Sequence, residues 1–233
     1  MSDETILLCE GYHDRSFLTG WALYLGAQDL ALVEKSVRDP WGKPVTRGHF
    51  GFRDPGGRFF RIIPVNTDTQ LFPTAAALLQ ESNTRPIRDL VIVVDADSSV
   101  ESRQSQLSNL KLRLKDESTA RVHLAVLGVS EDGPGIPEHP CLEKIVCSAI
   151  AAAYPERSQS VHAWLQTVGS RRSPAESAKG HSWSYMAGRY AGFGCDAFFR
   201  EIWRDPEIRD HLIDRLRANG AWESVTAAIS GPR

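Results

Sequence analysis

Carboxylates follow two apolar runs of this 233-residue chain, at the points where buried β-strands are expected to end. The first run leads into Glu10, Gly11 and Asp14, and the second leads into Asp95 and Asp97. Hard cations such as Mg²⁺ prefer oxygen ligands, and one or two carboxylates with a substrate phosphate are enough to hold them. If the two strands are neighbours in a parallel sheet, their acids meet in the crevice where such sheets bind ligands. The pattern therefore favours a phosphoryl-transfer or nuclease site.

Each acidic motif also has a simpler structural interpretation. An aspartate after an apolar strand is often a helix N-cap, and Asp97 before Ser98 fits that role. Asp14 could likewise cap or pair within its own helix. In an extended segment, residues i and i+2 point the same way, so Asp95 and Asp97 are predicted to direct both carboxylates to one side. The two motifs together are more specific than either alone, because they couple two separate strand ends.

The elements that would position these acids alternate between strand and helix in the first part of the chain. Apolar runs predict strands, and apolar residues at helical spacing predict helices. The predicted strands are residues 5–10, 29–37, 88–94 and 121–127, and the predicted helices are 12–26, 69–82 and 98–115. This alternation predicts an α/β fold with an open, mostly parallel sheet flanked by helices.

Two further features complete the predicted architecture. Residues 45–53 and 58–65 flank an Asp-Pro-Gly-Gly turn, which predicts a β-hairpin at the edge of the sheet or projecting from it. In the rest of the chain, helices are predicted at 141–153, 158–167 and 206–219. We therefore divide the chain into an α/β core at 1–130, with a hairpin insertion near 45–65, and a helical extension at 131–233 packed on that core.

The composition argues against several classes of protein. With 42% hydrophobic and 24% charged residues, the chain is typical of a globular protein rather than a disordered one. A net charge of −2 argues against a histone-like, charge-driven grip on nucleic acid. No apolar stretch approaches the roughly 20 residues that a membrane span needs, and the acidic start lacks the basic region of a secretory signal. We expect a cytoplasmic protein with no membrane contact and with reduced cysteines.

The two motifs also carry a family resemblance. Strand-Glu-Gly-x-x-Asp followed by strand-Asp-x-Asp resembles the TOPRIM domain shared by topoisomerases, DnaG-type primases and OLD-family nucleases, over approximately Thr5 to Leu127. Glu10, Gly11, Asp95 and Asp97 fall on the family's motif positions, and Asp14 matches the trailing acid of the first motif. The resemblance implies that paired aspartates bind Mg²⁺ or Mn²⁺. It further implies that the glutamate binds metal or acts as a general base in cleaving the phosphodiester bonds of DNA or RNA.

The chain differs from the larger family members, since it contains no P-loop and no zinc-binding spacing of the primase type. It is most similar to small stand-alone bacterial TOPRIM proteins related to OLD-family nucleases. In those relatives a Leu-Glu helix after the last strand supplies another acid, and a downstream lysine joins the site. Leu142-Glu143 is the candidate for the first, and Lys179, which would neutralise charge on the phosphate, is the candidate for the second. The alternative for Glu143 and Lys179 is an ordinary solvated side chain.

Basic residues suggest where a nucleic acid could bind. Arg53 and Arg61 alternate with phenylalanines in the predicted hairpin, and Arg171 and Arg172 are further candidate phosphate contacts. The simpler interpretation is that the hairpin aromatics pack on the core while the arginines are solvated.

Two other functions remain open at this point. The protein could be a non-catalytic TOPRIM-like module that binds a nucleotide or nucleic acid, or a nuclease subunit that requires an ATPase partner. His139 and Cys141 could assist a soft metal, although two ligands without partners are weak evidence for zinc. The oligomeric state is left undetermined by the sequence.

Overall fold

In the computed structural model, the two apolar runs that end in carboxylates form neighbouring strands inside one sheet. β1 (Glu4–Cys9) pairs in parallel with β5 (Ile87–Asp95), and the register places Leu8 opposite Ile92. Every residue of β1 is buried, as expected for a parallel strand covered by helices on both faces. The two acidic motifs therefore leave the sheet side by side, at the same edge.

Four more strands complete the sheet within the residues that the structure describes, which are 4–32, 50–65, 67–81, 86–97, 99–113, 119–169, 173–187 and 194–230. These strands are β2 (Gln28–Leu32), β3 (Gly51–Arg53), β4 (Phe59–Pro64) and β6 (Arg121–Leu127). The strand order is β2-β3-β4-β1-β5-β6. β4, β1, β5 and β6 are parallel, whereas β3 is antiparallel to both of its neighbours. The predicted α/β fold with an open, mostly parallel sheet is confirmed.

Helices cover both faces of this sheet. In the described part of the chain they are α1 (Tyr12–Tyr24), α2 (Asp68–Gln80), α3 (Val100–Arg113), α4 (Leu142–Ala153), α5 (Pro155–Val168), α6 (Pro174–Ala187), α7 (Cys195–Glu201), α8 (Pro206–Ala218) and α9 (Ala221–Ser230), with a 3₁₀ turn at Ile202–Arg204. α2 and α3 lie on one face, where Leu71, Leu79 and Leu110 share a buried cluster with Ile6 and Ile92 of the strands. None of the described helices combines the length and apolar character that crossing a membrane requires.

The helices after residue 130 pack on the same sheet face as α1. Leu7 of β1 and Val91 of β5 share a buried cluster with Phe17 of α1, Ile145 of α4 and Leu212 of α8. Each such side chain contributes about 1.5–3 kcal/mol when it is fully removed from water. The residues predicted as a helical extension, together with α1, therefore form the cover of one sheet face.

The hairpin is an integral part of the sheet. β4 pairs directly with β1, and β2 lies outside β3 as the outermost described strand on that side. Asp54 stabilises the hairpin turn, because its carboxylate accepts hydrogen bonds from the backbone amide of Arg58 at 2.7 Å and from its Nε at 2.6 Å. The rest of the predicted second strand (33–37) and the start of the predicted hairpin (45–49) lie outside the described residues.

A glycine after β6 lets the chain preceding α4 approach the strand ends closely. Gly128 has a φ of +109°, and a Cβ atom there would lie 2.3 Å from the carbonyl carbon of Pro140 and 2.4 Å from the amide nitrogen of Cys141. The Pro140 carbonyl in turn accepts a hydrogen bond from the amide of Asp97 at 3.0 Å. This contact holds the start of α4 against the carboxyl edge of the sheet.

We predict that Gly128→Ala destabilises the protein by about 3 kcal/mol or more, because it adds a steric clash to left-handed backbone strain. Gly57→Ala is the matched control, since Gly57 has a φ of +82° but nothing within 4 Å of the added Cβ. The control is expected to lose about 1–2 kcal/mol of folding stability, from the left-handed backbone strain alone. Urea denaturation measures both losses, and equal values would show that the Gly128 contact is unimportant.

Candidate functional site

The two acidic motifs are in direct contact at the carboxyl edge of the sheet. Glu10 follows β1, Asp95 is the last residue of β5, and the Glu10 Oε1 atom accepts a hydrogen bond from the Asp95 amide at 3.1 Å. This hydrogen bond joins the ends of the two strands, so that residues 85 positions apart in the sequence are in contact. The expected convergence of the two motifs is therefore observed for Glu10 and Asp95.

A cavity of about 340 Å³ opens at this point. Its walls come from the segment after β1, the start of α2, the end of β5, the start of α4 and one residue of α6. The lining residues are Glu10, Gly11, Tyr12, His13, Asp14, Thr67, Asp68, Asp95, Leu142, Glu143 and Lys179. Glu10, Asp95, Glu143 and Lys179, which were selected from the sequence, thus line one cavity.

The N-terminus of α4 points at Asp95. The Leu142 amide donates a hydrogen bond of 2.8 Å to Asp95 Oδ1, and the partial positive charge of a helix N-terminus favours a carboxylate there. Glu143 follows in the first turn, and Cys141 precedes the helix as its N-cap residue. One ligand atom each from Asp95, Cys141 and Glu143 lie within 4.8 Å of one another. These three donors are close enough to share one cation.

Histidine supports the buried carboxylate of Glu143. His13 Nδ1 lies 3.2 Å from Glu143 Oε1, and the His13 ring stacks on Phe199 with 4.7 Å between centroids. Burial alone would raise the pKa of Glu143, but the hydrogen bond and the charge of His13 hold that pKa below its usual value. The contact with His13 fixes the Glu143 carboxylate in position.

Crowding of carboxylates raises the proton affinity of the other acids. Burial, followed by the neighbouring charges of Asp14 and Asp68, raises the pKa of Glu10 to about 8. Burial and the charge of Glu143 raise the pKa of Asp14 to about 6. The pKa of Asp95 is also well above its usual value, again because of burial and then because of Asp14 and Glu10. Without a cation, this edge of the sheet holds protons that isolated carboxyl groups would release.

Asp97 faces a different set of partners from Asp95. Its Oδ2 atom is bonded to the guanidinium of Arg103, and its Oδ1 atom lies 3.1 Å from His139 Nε2. The backbone of Asp97 is left-handed, with a φ of +48°. Alternation of side chains requires an extended backbone, so the predicted common direction of Asp95 and Asp97 does not continue past the end of β5. Asp97 is not among the residues that line the cavity.

The proposed capping role of Asp97 is filled by a different residue. The Ser99 Oγ atom accepts a hydrogen bond from the Ser102 amide at 3.0 Å, which is the N-cap arrangement for α3. Asp14, by contrast, does take part in starting its helix, because its carboxylate accepts a 3.0 Å hydrogen bond from the Gly11 amide.

Two of the four arginines selected as nucleic-acid contacts, Arg53 and Arg61, lie away from the acidic edge. The register pairs Arg53 with Phe59, at the start of β4, and so places it toward the opposite edge of the sheet from Glu10. Arg61 is buried and bonded to Glu4, with Nη2 3.1 Å from Glu4 Oε2. Neither residue lines the acidic cavity. Arg171 and Arg172 lie outside the described residues.

Sequence reasoning missed the groups that partner the acids. Arg103 and Asp68 form an ion pair of 2.8 Å beside the cavity. In the sequence, Arg103 is one of many polar residues of a predicted helix, and Asp68 lies just before another. The available signal for Arg103 was its place on the first turn of the helix after Asp-x-Asp. Cys141 was considered only with His139, whereas the structure places it near Asp95 and Glu143.

Comparison with known proteins identifies the fold but no function. No protein-family model matches the chain, and no curated protein matches it. Among solved structures, the chain is similar to a hypothetical protein from Pyrococcus horikoshii OT3, with a TM-score of 0.68 and 15% sequence identity. The match covers 98% of this chain and 100% of that one. At this identity the likeness establishes the shared fold alone, and it extends over the helices after residue 130 as well as the sheet.

We predict that Glu10→Gln changes how the stability of the metal-free protein depends on pH. Between the ordinary pKa of 4.5 and the folded-state pKa of about 8, the folded protein binds a proton at Glu10 that the unfolded chain releases. The contribution of Glu10 to the free energy of unfolding therefore decreases as the pH rises from 5 to 8. The variant should melt about 3–6 °C above the native protein at pH 8 in EDTA, which corresponds to about 1.5 kcal/mol for a protein of this size. At pH 5 the two should differ little.

Thermal unfolding followed by circular dichroism measures this effect. Glu156→Gln, at an exposed position of α5, is the control for removing a glutamate charge, and its effect should be the same at both pH values. A Glu10→Gln effect equally independent of pH would contradict the crowding of carboxylates at the cavity.

Proposed function

We propose that the cavity binds Mg²⁺ or Mn²⁺ and that the protein is a metal-dependent nuclease, which hydrolyses phosphodiester bonds of DNA or RNA in the cytoplasm. One observation carries this proposal: Glu10, Asp95, Glu143 and Lys179 line a single cavity at the carboxyl edge of a parallel sheet. Ligand sites of α/β proteins occur at this edge. A set of acids with one lysine suits a cation bound together with an anionic substrate.

The donor atoms of the cavity fit a divalent cation. Asp95 and Glu143 supply carboxylate oxygens, which Mg²⁺ and Mn²⁺ prefer, and their ligand atoms lie within 4.8 Å of Cys141 Sγ. Burial, followed by the neighbouring charges of Asp14 and Asp68, raises the pKa of Glu10 to about 8. A cation would offset these charges and allow the acids to ionise. Since sulfur is a softer ligand than oxygen, Cys141 favours Mn²⁺ over Mg²⁺.

The same cavity offers groups that attract phosphate. α1 begins at Tyr12, which lines the cavity, whereas the first amide of α4, that of Leu142, is already bonded to Asp95. Helix N-termini favour anions, because their first amide groups have no partners within the helix. Lys179 is exposed, so its ammonium group is free to approach a bound phosphate. The volume of about 340 Å³ lies at the low end of the range for small-ligand sites, about 300–1,000 Å³, which suits a phosphate with part of a nucleotide.

Each residue of the cavity has a distinct role in the proposed hydrolysis. Bound metal would polarise the phosphate and lower the pKa of the attacking water. Asp95 and Glu143 hold the ion, and His13 keeps Glu143 in position. Glu10, which a bound cation would allow to ionise, accepts the proton of the attacking water as general base. Lys179 donates to a phosphate oxygen as negative charge develops on it.

The TOPRIM resemblance supports the same assignment from a separate direction. Glu143 and Lys179 were selected because relatives of that family supply an acid and a lysine after the last strand. Both residues line the cavity with Glu10 and Asp95, although they lie on α4 and α6, beyond the part of the chain that carries the two motifs. Glu143 is buried rather than solvated, whereas Lys179 is exposed and enters the assignment through its place in the cavity wall.

We predict that the protein cleaves nucleic acid in the presence of Mn²⁺ or Mg²⁺, and that Asp95→Asn lowers the rate by at least about 100-fold, because it removes a metal ligand. Plasmid, linear duplex, single-stranded DNA and RNA are tested in parallel, with EDTA as the metal-free reaction. Asp210→Asn, a carboxylate on the surface of α8 with a side chain 73% exposed, is the matched control and should retain full activity.

Two results would contradict the nuclease assignment. Cleavage that survives in Asp95→Asn or in EDTA would show that the activity does not come from this cavity. Binding of metal without cleavage of any substrate would instead favour a binding module or a subunit that requires an ATPase partner.

A further inference from the structure

A buried arginine lies directly beside the acidic cavity. Arg103, on the first turn of α3, is 5% exposed. Its Nε donates to the Asp95 carbonyl at 3.0 Å, and its Nη1 donates to Asp68 Oδ1 at 2.8 Å and to Gln106 Oε1 at 3.4 Å. Its Nη2 is bonded to Asp97. The guanidinium therefore uses four of its five N–H donors in hydrogen bonds.

The Nη2 side of the Arg103 guanidinium also faces Glu10, in the first acidic motif. Nη2 of Arg103 lies 3.7 Å from Glu10 Oε1, the same oxygen that accepts from the Asp95 amide. One cation thus contacts carboxylates from three elements, which are Glu10 after β1, Asp68 on α2 and Asp97 after β5. Because arginine does not lose its proton in proteins, this charge is permanent.

Arg103 and His139 together occupy both carboxylate oxygens of Asp97. Arg103 takes Oδ2, and His139 Nε2 lies 3.1 Å from Oδ1. The donor group around Asp95, Cys141 and Glu143 does not include Asp97. The second aspartate of the Asp-x-Asp motif is therefore committed to protein partners, whereas the first faces the cavity.

We propose that Arg103 is a fixed internal cation that takes the place of a second divalent metal ion at this site. The cavity then binds one divalent ion, held by Asp95 and Glu143 with Glu10 adjacent, and Asp97 is a positioning residue rather than a ligand. This inference rests on the proposed function, since it concerns the number and ligands of the metal ions that the cavity takes. Arg103 is not itself a lining residue of the cavity. It would nevertheless set the number of metal ions bound there, through its contacts with the acids.

The experiment counts Mn²⁺ ions bound by the full chain, using isothermal titration calorimetry without any substrate. The native protein should bind one ion. Asp97→Asn should still bind one, with affinity weakened by no more than about 100-fold, the upper end for an outer-shell group. Asp95→Asn should weaken binding by more than about 100-fold, beyond the outer-shell range.

Variants of Arg103 test the internal cation directly. Arg103→Met should bind two ions, because it releases Asp97 and Asp68 from the guanidinium. Arg103→Lys, which retains the positive charge, should restore a stoichiometry of one. Arg61→Met is the matched control, since Arg61 is also buried and bonded to a glutamate, but that glutamate is Glu4 rather than an acid of the cavity. The stoichiometry of this variant should stay at one. If Arg103→Met does not fold, the Asp97→Asn and Arg103→Lys titrations decide the question.

The possible failures are distinguishable. Two ions on the native protein, with one lost in Asp97→Asn, would overturn the role of Arg103 while leaving the metal-dependent site intact. Loss of the single ion in Asp97→Asn, or a single ion on folded Arg103→Met, would also overturn it. No Mn²⁺ binding by the native protein would overturn the proposed function itself, and this inference with it.

Discussion

The hydrogen bond between Glu10 and the Asp95 amide brings the ends of two parallel strands together, and the site is built around this contact. It places negative charge from several elements at one edge of the sheet, where burial makes ionisation costly. The fold offsets this charge with groups that lie on all sides of the edge. The start of α4 faces Asp95, His13 faces Glu143, and Arg103 faces Asp97. The negative charge that faces the cavity is the part that a bound cation would offset.

The helices beyond residue 130 are as important to this site as the sheet. α4 supplies Cys141 at its N-cap and Glu143 in its first turn, and α6 supplies Lys179. Gly128 lets the segment before α4 approach the strand ends, and the buried cluster around Ile145 fixes α4 on the sheet. Three of the eleven residues that line the cavity, Leu142, Glu143 and Lys179, therefore depend on packing between parts of the chain that sequence patterns describe separately. A similar fold in another protein establishes this framework, whereas the function must be argued from the side chains placed on it.

Much of the architecture could be predicted because it depends on local periodicity. Apolar runs identified β1, β5 and β6, and helical spacing identified α1, α4 and α8 close to their observed bounds. Start positions were less exact where a specific residue decides them, as for α5, which begins at Pro155 because proline suits the first turn of a helix. The acids Glu10 and Asp95 could be placed together because parallel strands end at a common edge.

The rest of the site depends on long-range contacts that leave little trace in the sequence. Asp97 departs from strand alternation because its backbone is left-handed, and Arg103 reaches it from the following helix. His139 approaches Asp97 from a loop 42 residues further along the chain. Arg61 was predicted to contact nucleic acid or, in the simpler interpretation, to be solvated, but β4 lies inside the sheet, and the arginine is buried with Glu4. In each case the sequence shows that the residue is charged or polar, but its partner is determined by tertiary packing.

The most direct test of the metal assignment is the anomalous diffraction of a crystal soaked in Mn²⁺. The account predicts a single anomalous peak in the cavity, within coordination distance of carboxylate oxygens of Asp95 and Glu143. Asp97 should remain bonded to Arg103 in that crystal. A cavity without any peak, or a peak whose ligands include Asp97, would contradict the account.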